Sequence, residues 1–167
     1  MKYRLIGLSL ATALAAGGAL TASRAQSASP AASPVSGPQA TMNKECGACH
    51  MVFPPQFLPA RSWVALMDGL KDHFGETAAL DATATKEIVD YLVAHAADAP
   101  GGDRHYLRGL KATDTPLRIT NTPAWIREHR EEVSPAAFAA PKVKSKSNCV
   151  ACHANAAKGV FGDGDDD

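Results

Sequence analysis

Two five-residue stretches, far apart in the chain, share one pattern of chemically active residues. Residues 46–50 are C-G-A-C-H and residues 149–153 are C-V-A-C-H, and together they use every cysteine in the sequence. In a C-x-x-C-H motif, each thiol can form a thioether with one vinyl group of a haem, and the histidine that follows becomes the proximal iron ligand. The motifs therefore predict two covalently attached c-type haems. The predicted thioether residues are Cys46, Cys49, Cys149 and Cys152, and the predicted proximal ligands are His50 and His153.

Two other uses of four cysteines are a pair of disulfides and a zinc site. An even cysteine count in an exported protein often indicates disulfides, and paired C-x-x-C motifs can bind zinc. Neither use explains why a histidine follows each cysteine pair at the same offset. The haem interpretation accounts for all six residues.

The overall composition is that of a globular protein without a nucleic-acid-binding surface. The 167 residues are 46% hydrophobic, and 17 basic residues balance 17 acidic ones, so no basic excess is available for phosphates. A buried porphyrin would supply apolar core that such short segments could not make alone. Residues 51–59 contain three prolines, which exclude a regular helix, and their aromatic side chains could cover a porphyrin edge. We predict a mainly α fold of two small haem-binding lobes, with short helices, loops and little or no β structure.

The segments before the first motif indicate export. Residues 1–25 have basic residues, an apolar run and a small-residue cleavage site, as in a secretory signal peptide. The run at 5–20 is shorter than the roughly 20 residues that span a bilayer. We therefore predict a cleaved signal peptide, a periplasmic location and a flexible Ala/Ser/Pro-rich leader at 26–40. The predicted remainder is an N-terminal haem c domain at 41–98, a connection at 99–121, and a C-terminal haem c segment with an acidic tail at 122–167.

The first iron needs a sixth ligand, and three residues are candidates. Residues 61–74 have the apolar periodicity of an amphipathic helix, with His73 at the end of the apolar stripe. Met67 lies on the same stripe and would give a centre of higher potential. His95 lies on a second predicted helix at 85–97. We predict His73 as the ligand and keep Met67 and His95 as alternatives.

The sixth ligand of the second iron should come from upstream of its motif. Residues 154–167 contain neither histidine nor methionine. Thr122 and Pro123 are typical of a helix start, as N-cap and first helical residue. His129 lies on this predicted helix and is the nearest candidate. His105, in a turn-rich segment, is the alternative.

Taken together, the motifs resemble those of the bacterial dihaem cytochrome c family, over about residues 45–159. The shared features are E-C-G-A-C-H, the P-P-x-x-L-P loop, S-W-x-x-L-M-x-x-L-x-D-H-F-G, the E-H-R around His129, and K-S-x-x-N-C-x-A-C-H. The resemblance implies two bis-histidine irons and electron transfer without a substrate reaction. The implied iron ligands are His50 with His73 and His153 with His129. It also implies redox partners such as a membrane cytochrome b and a small oxygen-binding cytochrome c.

These observations predict a periplasmic electron carrier that is not an enzyme and has no small-molecule substrate. Two six-coordinate irons leave no open position, and histidine in place of methionine lowers the reduction potential. The lysine-rich run at 142–146 is a solvated face or a basic rim that steers an acidic partner. One alternative is the dihaem electron-donor subunit of a periplasmic reductase. Another is a dihaem peroxidase with one five-coordinate iron and Glu128 as a distal base.

Overall fold

The computed structural model describes residues 36–162, and the regular secondary structure in this range is helical. Short 3-10 turns join the helices, and the one β-type pairing in this range is an isolated bridge between His73 and Glu76. The predicted mainly α fold is therefore confirmed. The helices are α1 (Pro38–Cys46), α2 (Ala60–Asp68), α3 (Ala82–Ala94), α4 (Pro123–Arg130) and α5 (Pro135–Ala139).

The predicted signal peptide, most of the leader and the end of the acidic tail lie outside the described residues. Helix α1 begins at Pro38, so the last three residues of the predicted leader are helical rather than flexible. The described residues all belong to one compact unit, and the predicted boundaries between the haem segments and the connection stay predictions. None of the described helices is long and apolar enough to cross a lipid bilayer.

A buried apolar cluster holds α1, α2 and α3 together. Helices α1 and α2 both pack on α3, because apolar residues recur at helical spacing on their facing sides. The indole N–H of Trp63 donates to the Pro55 carbonyl at 2.7 Å, which ties α2 to the proline-rich loop before it. This first-segment core consists of Met42, Leu58, Trp63, Met67, Ile88, Leu92 and Ala96.

The predicted helix over 61–74 is wrong in its second half. Helix α2 ends at Asp68, where the N–H of Gly69 bonds back to the carbonyls of Ala65 and Leu66. Glycine costs about 1 kcal/mol relative to alanine within a helix, so the chain leaves the helix there. A 3-10 turn at Leu70–Asp72 follows. His73 therefore lies beyond the helix, in a tight turn.

The second predicted helix lies three residues earlier than expected. Helix α3 begins after Asp81, whose carboxylate accepts the N–H groups of Thr83 and Ala84, an N-cap that the sequence analysis missed. It ends at Ala94, so His95 is its C-cap residue rather than part of its face.

The predicted start of α4 is confirmed. The Thr122 hydroxyl accepts the N–H of Trp125, and Pro123 occupies the first helical turn. The same hydroxyl donates to the Ile119 carbonyl at 2.8 Å, so the cap also fixes the 3-10 turn Ile119–Asn121 that leads into the helix.

The connection between the two motifs is fastened to α2 through Arg61. Its Nε donates to the Asp114 carbonyl at 2.6 Å and its Nη2 to the Lys111 carbonyl at 3.1 Å. Asp98, which also accepts the N–H of Ala60, lies 3.6 Å from the same guanidinium. These bonds fix the connection against the first helices and so set where α4 begins.

Candidate haem sites

The first site brings the imidazole of His50, in the N-terminal motif, close to that of His73. Their ring centroids lie 6.2 Å apart, and the ring planes are 24° from parallel. A metal–imidazole bond of about 2.0–2.1 Å, plus about 1.1 Å from nitrogen to ring centroid, gives a centroid separation of about 6.2 Å for two histidines on one metal. The spacing therefore suits one iron between the rings.

Local contacts orient the His50 ring. Its Nδ1 lies 2.6 Å from the Met51 carbonyl, which can only accept, so this nitrogen carries the proton and Nε2 is left for a metal. The ring of Phe53, from the proline-rich loop, lies 5.0 Å from the imidazole. The loop therefore places one of its two phenylalanines beside the His50 imidazole.

A turn with unusual backbone geometry presents His73. The backbone N–H of His73 donates to the Glu76 carbonyl at 2.7 Å, and the Asp72 carboxylate accepts the N–H of Gly75 at 2.9 Å. Phe74 has a backbone φ of 59°, which residues other than glycine rarely adopt. Burial lowers the pKa of His73, and the positive charges of His50 and Arg118 lower it further. The neutral imidazole, which is the form that binds metal, is thereby favoured.

The second site pairs His129 of α4 with His153 of the C-terminal motif. Their centroids lie 6.1 Å apart, so the spacing again suits one iron, but the ring planes are 83° apart. The Nδ1 of His129 lies 2.8 Å from the Trp125 carbonyl, which leaves its Nε2 for a metal. The indole of Trp125 stacks on the imidazole at 4.1 Å.

A cavity of about 350 Å³ surrounds the second histidine pair. Both cysteines and both histidines of the site line it, so thiols and imidazoles converge on one apolar space. These donors and this lining fit a covalently attached haem. The apolar lining consists of Phe57, Tyr106, Ile119, Ala124, Trp125, Val133, Phe138, Val143 and Phe161.

The sequence analysis missed two of the aromatic residues at the second site. Phe57 belongs to the proline-rich loop of the first segment, yet its ring lies 4.8 Å from Tyr106 and 4.8 Å from Phe161. Phe161 in turn lies 5.6 Å from His153. Neither residue has a periodic pattern that points to the second motif, so only the fold brings them there.

None of the four cysteines, all of them within the described residues, forms a disulfide, and the two motifs place them in matched environments. In each motif the first cysteine is half-buried and the second is exposed. Burial raises the pKa of Cys46, with a further rise from the Glu45 carboxylate, and burial also raises the pKa of Cys149. A protonated thiol is a poor metal ligand, and residues 36–162 contain no cluster of three or more His, Cys, Asp or Glu side chains that could hold a metal ion.

The structure places the alternative ligands of the first site against residues other than His50. The ring of His95 lies 4.3 Å from that of Tyr91, and its Nδ1 lies 2.8 Å from the Tyr91 carbonyl. Met67 is part of the first-segment core. Within the described residues, the histidine ring that faces His50 is that of His73.

His105, the alternative at the second site, lines the cavity but has polar partners on both ring nitrogens. Its Nδ1 lies 3.3 Å from the guanidinium of Arg108, and its Nε2 lies 3.6 Å from the carboxylate of Glu128. The His129 ring lies at the distance from His153 that suits one iron between two imidazoles.

Comparisons with known proteins agree on one family. A family model described as dihaem cytochrome c matches residues 42–161. A solved diheme cytochrome c from Rhodobacter sphaeroides is 52% identical, with a TM-score of 0.68 over 72% of this chain and 94% of that one. A diheme cytochrome type c from Shewanella baltica is 38% identical, with a TM-score of 0.61 over 75% of this chain and 88% of that one. No curated protein matches the chain.

Proposed function

This chain belongs to the dihaem cytochrome c family, which carries two covalently bound c-type haems, and we propose that it is a periplasmic electron carrier with two bis-histidine irons. Each haem, when bound, supplies an iron that cycles between the ferric and ferrous states. In this proposal the first centre uses Cys46, Cys49, His50 and His73, and the second uses Cys149, Cys152, His153 and His129.

The observation that carries the proposal is the spacing of the two histidine pairs. Each pair joins a motif histidine to a histidine more than 20 residues away in the chain, at 6.2 and 6.1 Å between ring centroids. Two such pairs would supply two imidazole ligands to each of two irons. With both histidines bound, each iron would exchange electrons but would have no open position for peroxide or oxygen.

Contacts of Glu128 argue against the peroxidase alternative. A distal base must be free to accept a proton from a ligand on the iron. The Glu128 carboxylate instead lies 3.0 Å from the guanidinium of Arg127 and 3.6 Å from His105. These contacts support a charged surface residue rather than a distal base.

An exposed lysine beside the second site suits an acidic redox partner. Lys146 places its Nζ 5.7 Å above the rings of both Trp125 and Phe138, which line the second cavity. Positive charge beside a redox centre raises the association rate with an acidic protein, and salt weakens the effect. Our proposed redox partners are a membrane cytochrome b and a small oxygen-binding cytochrome c, after export by the signal peptide.

The electron-donor subunit of a periplasmic reductase remains a second form of the same function, because it uses the same two centres. Stoichiometric co-purification with a large reductase from the native periplasm would favour that form. A monomeric or self-associated cytochrome would favour the free carrier.

The ligand assignment is tested by His73→Ala and His129→Ala in the haem-loaded protein. When the two imidazole planes are near parallel, the iron d orbitals that overlap with the rings differ in energy. When the planes are near perpendicular, these orbitals are close in energy. The two ferric centres should therefore give different low-spin EPR signals, and each variant should lose one of them and gain a high-spin signal.

His95→Ala and His105→Ala are the matched controls and should keep both low-spin signals. An unchanged spectrum in His73→Ala or His129→Ala would refute the ligand assignment at that centre. Hydrogen peroxide turnover by the reduced wild-type protein would refute the electron-carrier function in favour of the peroxidase.

A further inference from the structure

We propose that Arg118 is a positioning residue of the first centre, which holds the His73 turn through Phe74 and raises the reduction potential of that centre. This inference rests on the proposed function, since it assumes that His73 is an iron ligand. It adds a residue from the connection, outside both haem-binding motifs, to the machinery of the first site.

The geometry links Arg118 to His73 through one aromatic ring. The guanidinium carbon of Arg118 lies 3.8 Å from the centroid of the Phe74 ring, at stacking distance for a cation on an aromatic face. The Phe74 ring centroid lies 4.7 Å from that of His73. A planar guanidinium suits this contact, because it can both stack and carry charge.

The His73 turn has little else to hold this ring. Helix α2 has ended at Asp68, so no regular helical hydrogen bonds fix the residues around His73. Phe74 is 44% exposed, lies outside the first-segment core, and has the strained φ of 59°. A strained residue persists only when its surroundings hold it. Local hydrogen bonds hold the backbone of this turn, and Arg118 adds a contact to the exposed Phe74 ring from a distant part of the chain.

The positive charge of Arg118 can also affect the reduction potential of the first centre. Within the described residues, Arg118 has no carboxylate within ion-pair distance, whereas Arg61 and Arg127 each have one. The Phe74 ring under the guanidinium lies 4.7 Å from the His73 imidazole, so the charge is close to the centre. A ferric centre carries one more positive charge than a ferrous one, so a nearby cation disfavours oxidation and raises the potential.

Arg118 also lies directly before the segment that leads into the second centre. It directly precedes the 3-10 turn Ile119–Asn121, and the Ile119 carbonyl accepts from Thr122, the N-cap of α4. The side chain therefore fastens the first centre's sixth-ligand turn to the segment that begins the second centre's sixth-ligand helix.

The test compares Arg118→Met with Arg104→Met, a matched change of an exposed arginine on the same connection. Cyanide binds a bis-histidine iron only when a histidine has left, so its apparent affinity reports the detached fraction. Loss of an exposed cation–π contact should raise the cyanide affinity of the first ferric centre by about two- to fivefold. EPR-monitored redox titration should show the potential of that centre shifted to more negative values, with the second centre unchanged. Arg104→Met should match the wild type in both measurements.

Two further variants separate the contact from the charge. Arg118→Lys keeps the charge but not the planar group, so it should keep the wild-type potential while cyanide affinity rises. Phe74→Leu should raise cyanide affinity, and adding Arg118→Met to it should raise it no further, because the contact is already lost. Equal effects in the two backgrounds would overturn the role of the contact.

The failure of this inference can be told apart from failure of the proposed function. If His73→Ala loses a low-spin signal but Arg118→Met and Arg118→Lys behave as the wild type, Arg118 has no positioning role and the electron carrier stands. If His73→Ala keeps its spectrum, the ligand assignment itself is wrong.

Discussion

The two candidate haem sites use the same ligand chemistry but differ in the protein around them. The first lies against a core that the chain builds for itself, and Cys46 of its motif packs on that core. The second lies in a cavity whose aromatic walls, such as Trp125 and Phe138, are themselves partly exposed. The comparison indicates that the haem adds to an existing core at the first site and forms much of the core at the second.

The proposed sixth ligands differ in the same way. His73 is held in a strained turn by a few local hydrogen bonds and by Arg118, while His129 lies on a capped helix under a stacked indole. The ring planes are near parallel at the first site and near perpendicular at the second. A helix holds the proposed ligand at the second site, whereas a hydrogen-bonded turn and one long-range contact hold it at the first.

The largest expected effect comes from removing each haem in turn. Cys149→Ala with Cys152→Ala should leave the second cavity unfilled, and residues 122–161 should lose protection from amide hydrogen exchange while α2 and α3 keep theirs. Cys46→Ala with Cys49→Ala should leave the α2 and α3 amides partly protected, because their core does not depend on the porphyrin alone. Equal loss of protection in all segments of both variants would contradict the comparison. Exchange followed by mass spectrometry makes the measurement.

A truncation in the first-segment core should have the next largest effect. Leu58 is 0% exposed, and Leu58→Ala should lower the free energy of unfolding by about 2–5 kcal/mol through lost burial and a cavity. Ile126 on α4 is 45% exposed, and Ile126→Ala should change the free energy of unfolding by no more than about 0.5 kcal/mol. Guanidinium unfolding followed by circular dichroism gives both values. A Leu58→Ala cost as small as that of the control would show that this core contributes little.

The smallest effect should come from the helix caps, where the two segments can be matched. Thr122→Ala and Asp81→Ala each remove a side-chain acceptor at a helix N-terminus and should cost about 0.5–2 kcal/mol. Only Thr122→Ala should also raise the cyanide affinity of the second centre, because α4 carries His129 whereas α3 carries no proposed ligand. A change at either centre in Asp81→Ala would contradict this division.

Much of the fold and of the sites could be predicted from local patterns. The Thr122 cap, the mainly helical fold and the two motifs all depend on residues within a few positions of one another. The end of α2 could not be placed, because apolar periodicity continues to Phe74 while the backbone leaves the helix at Gly69. Aromatic periodicity also gave no sign that Phe57 lines the second cavity rather than the first.

The sequence by itself determined that the chain carries two haem-attachment motifs, since the thiol spacing and the following histidine are set by covalent neighbours. Only the tertiary structure decided which distant histidine faces each motif, the angle between the ring planes, and the contact of Arg118 with Phe74. These features depend on the relative positions of segments far apart in the chain. Many packing contacts and hydrogen bonds together fix those positions, so no short sequence pattern can predict them.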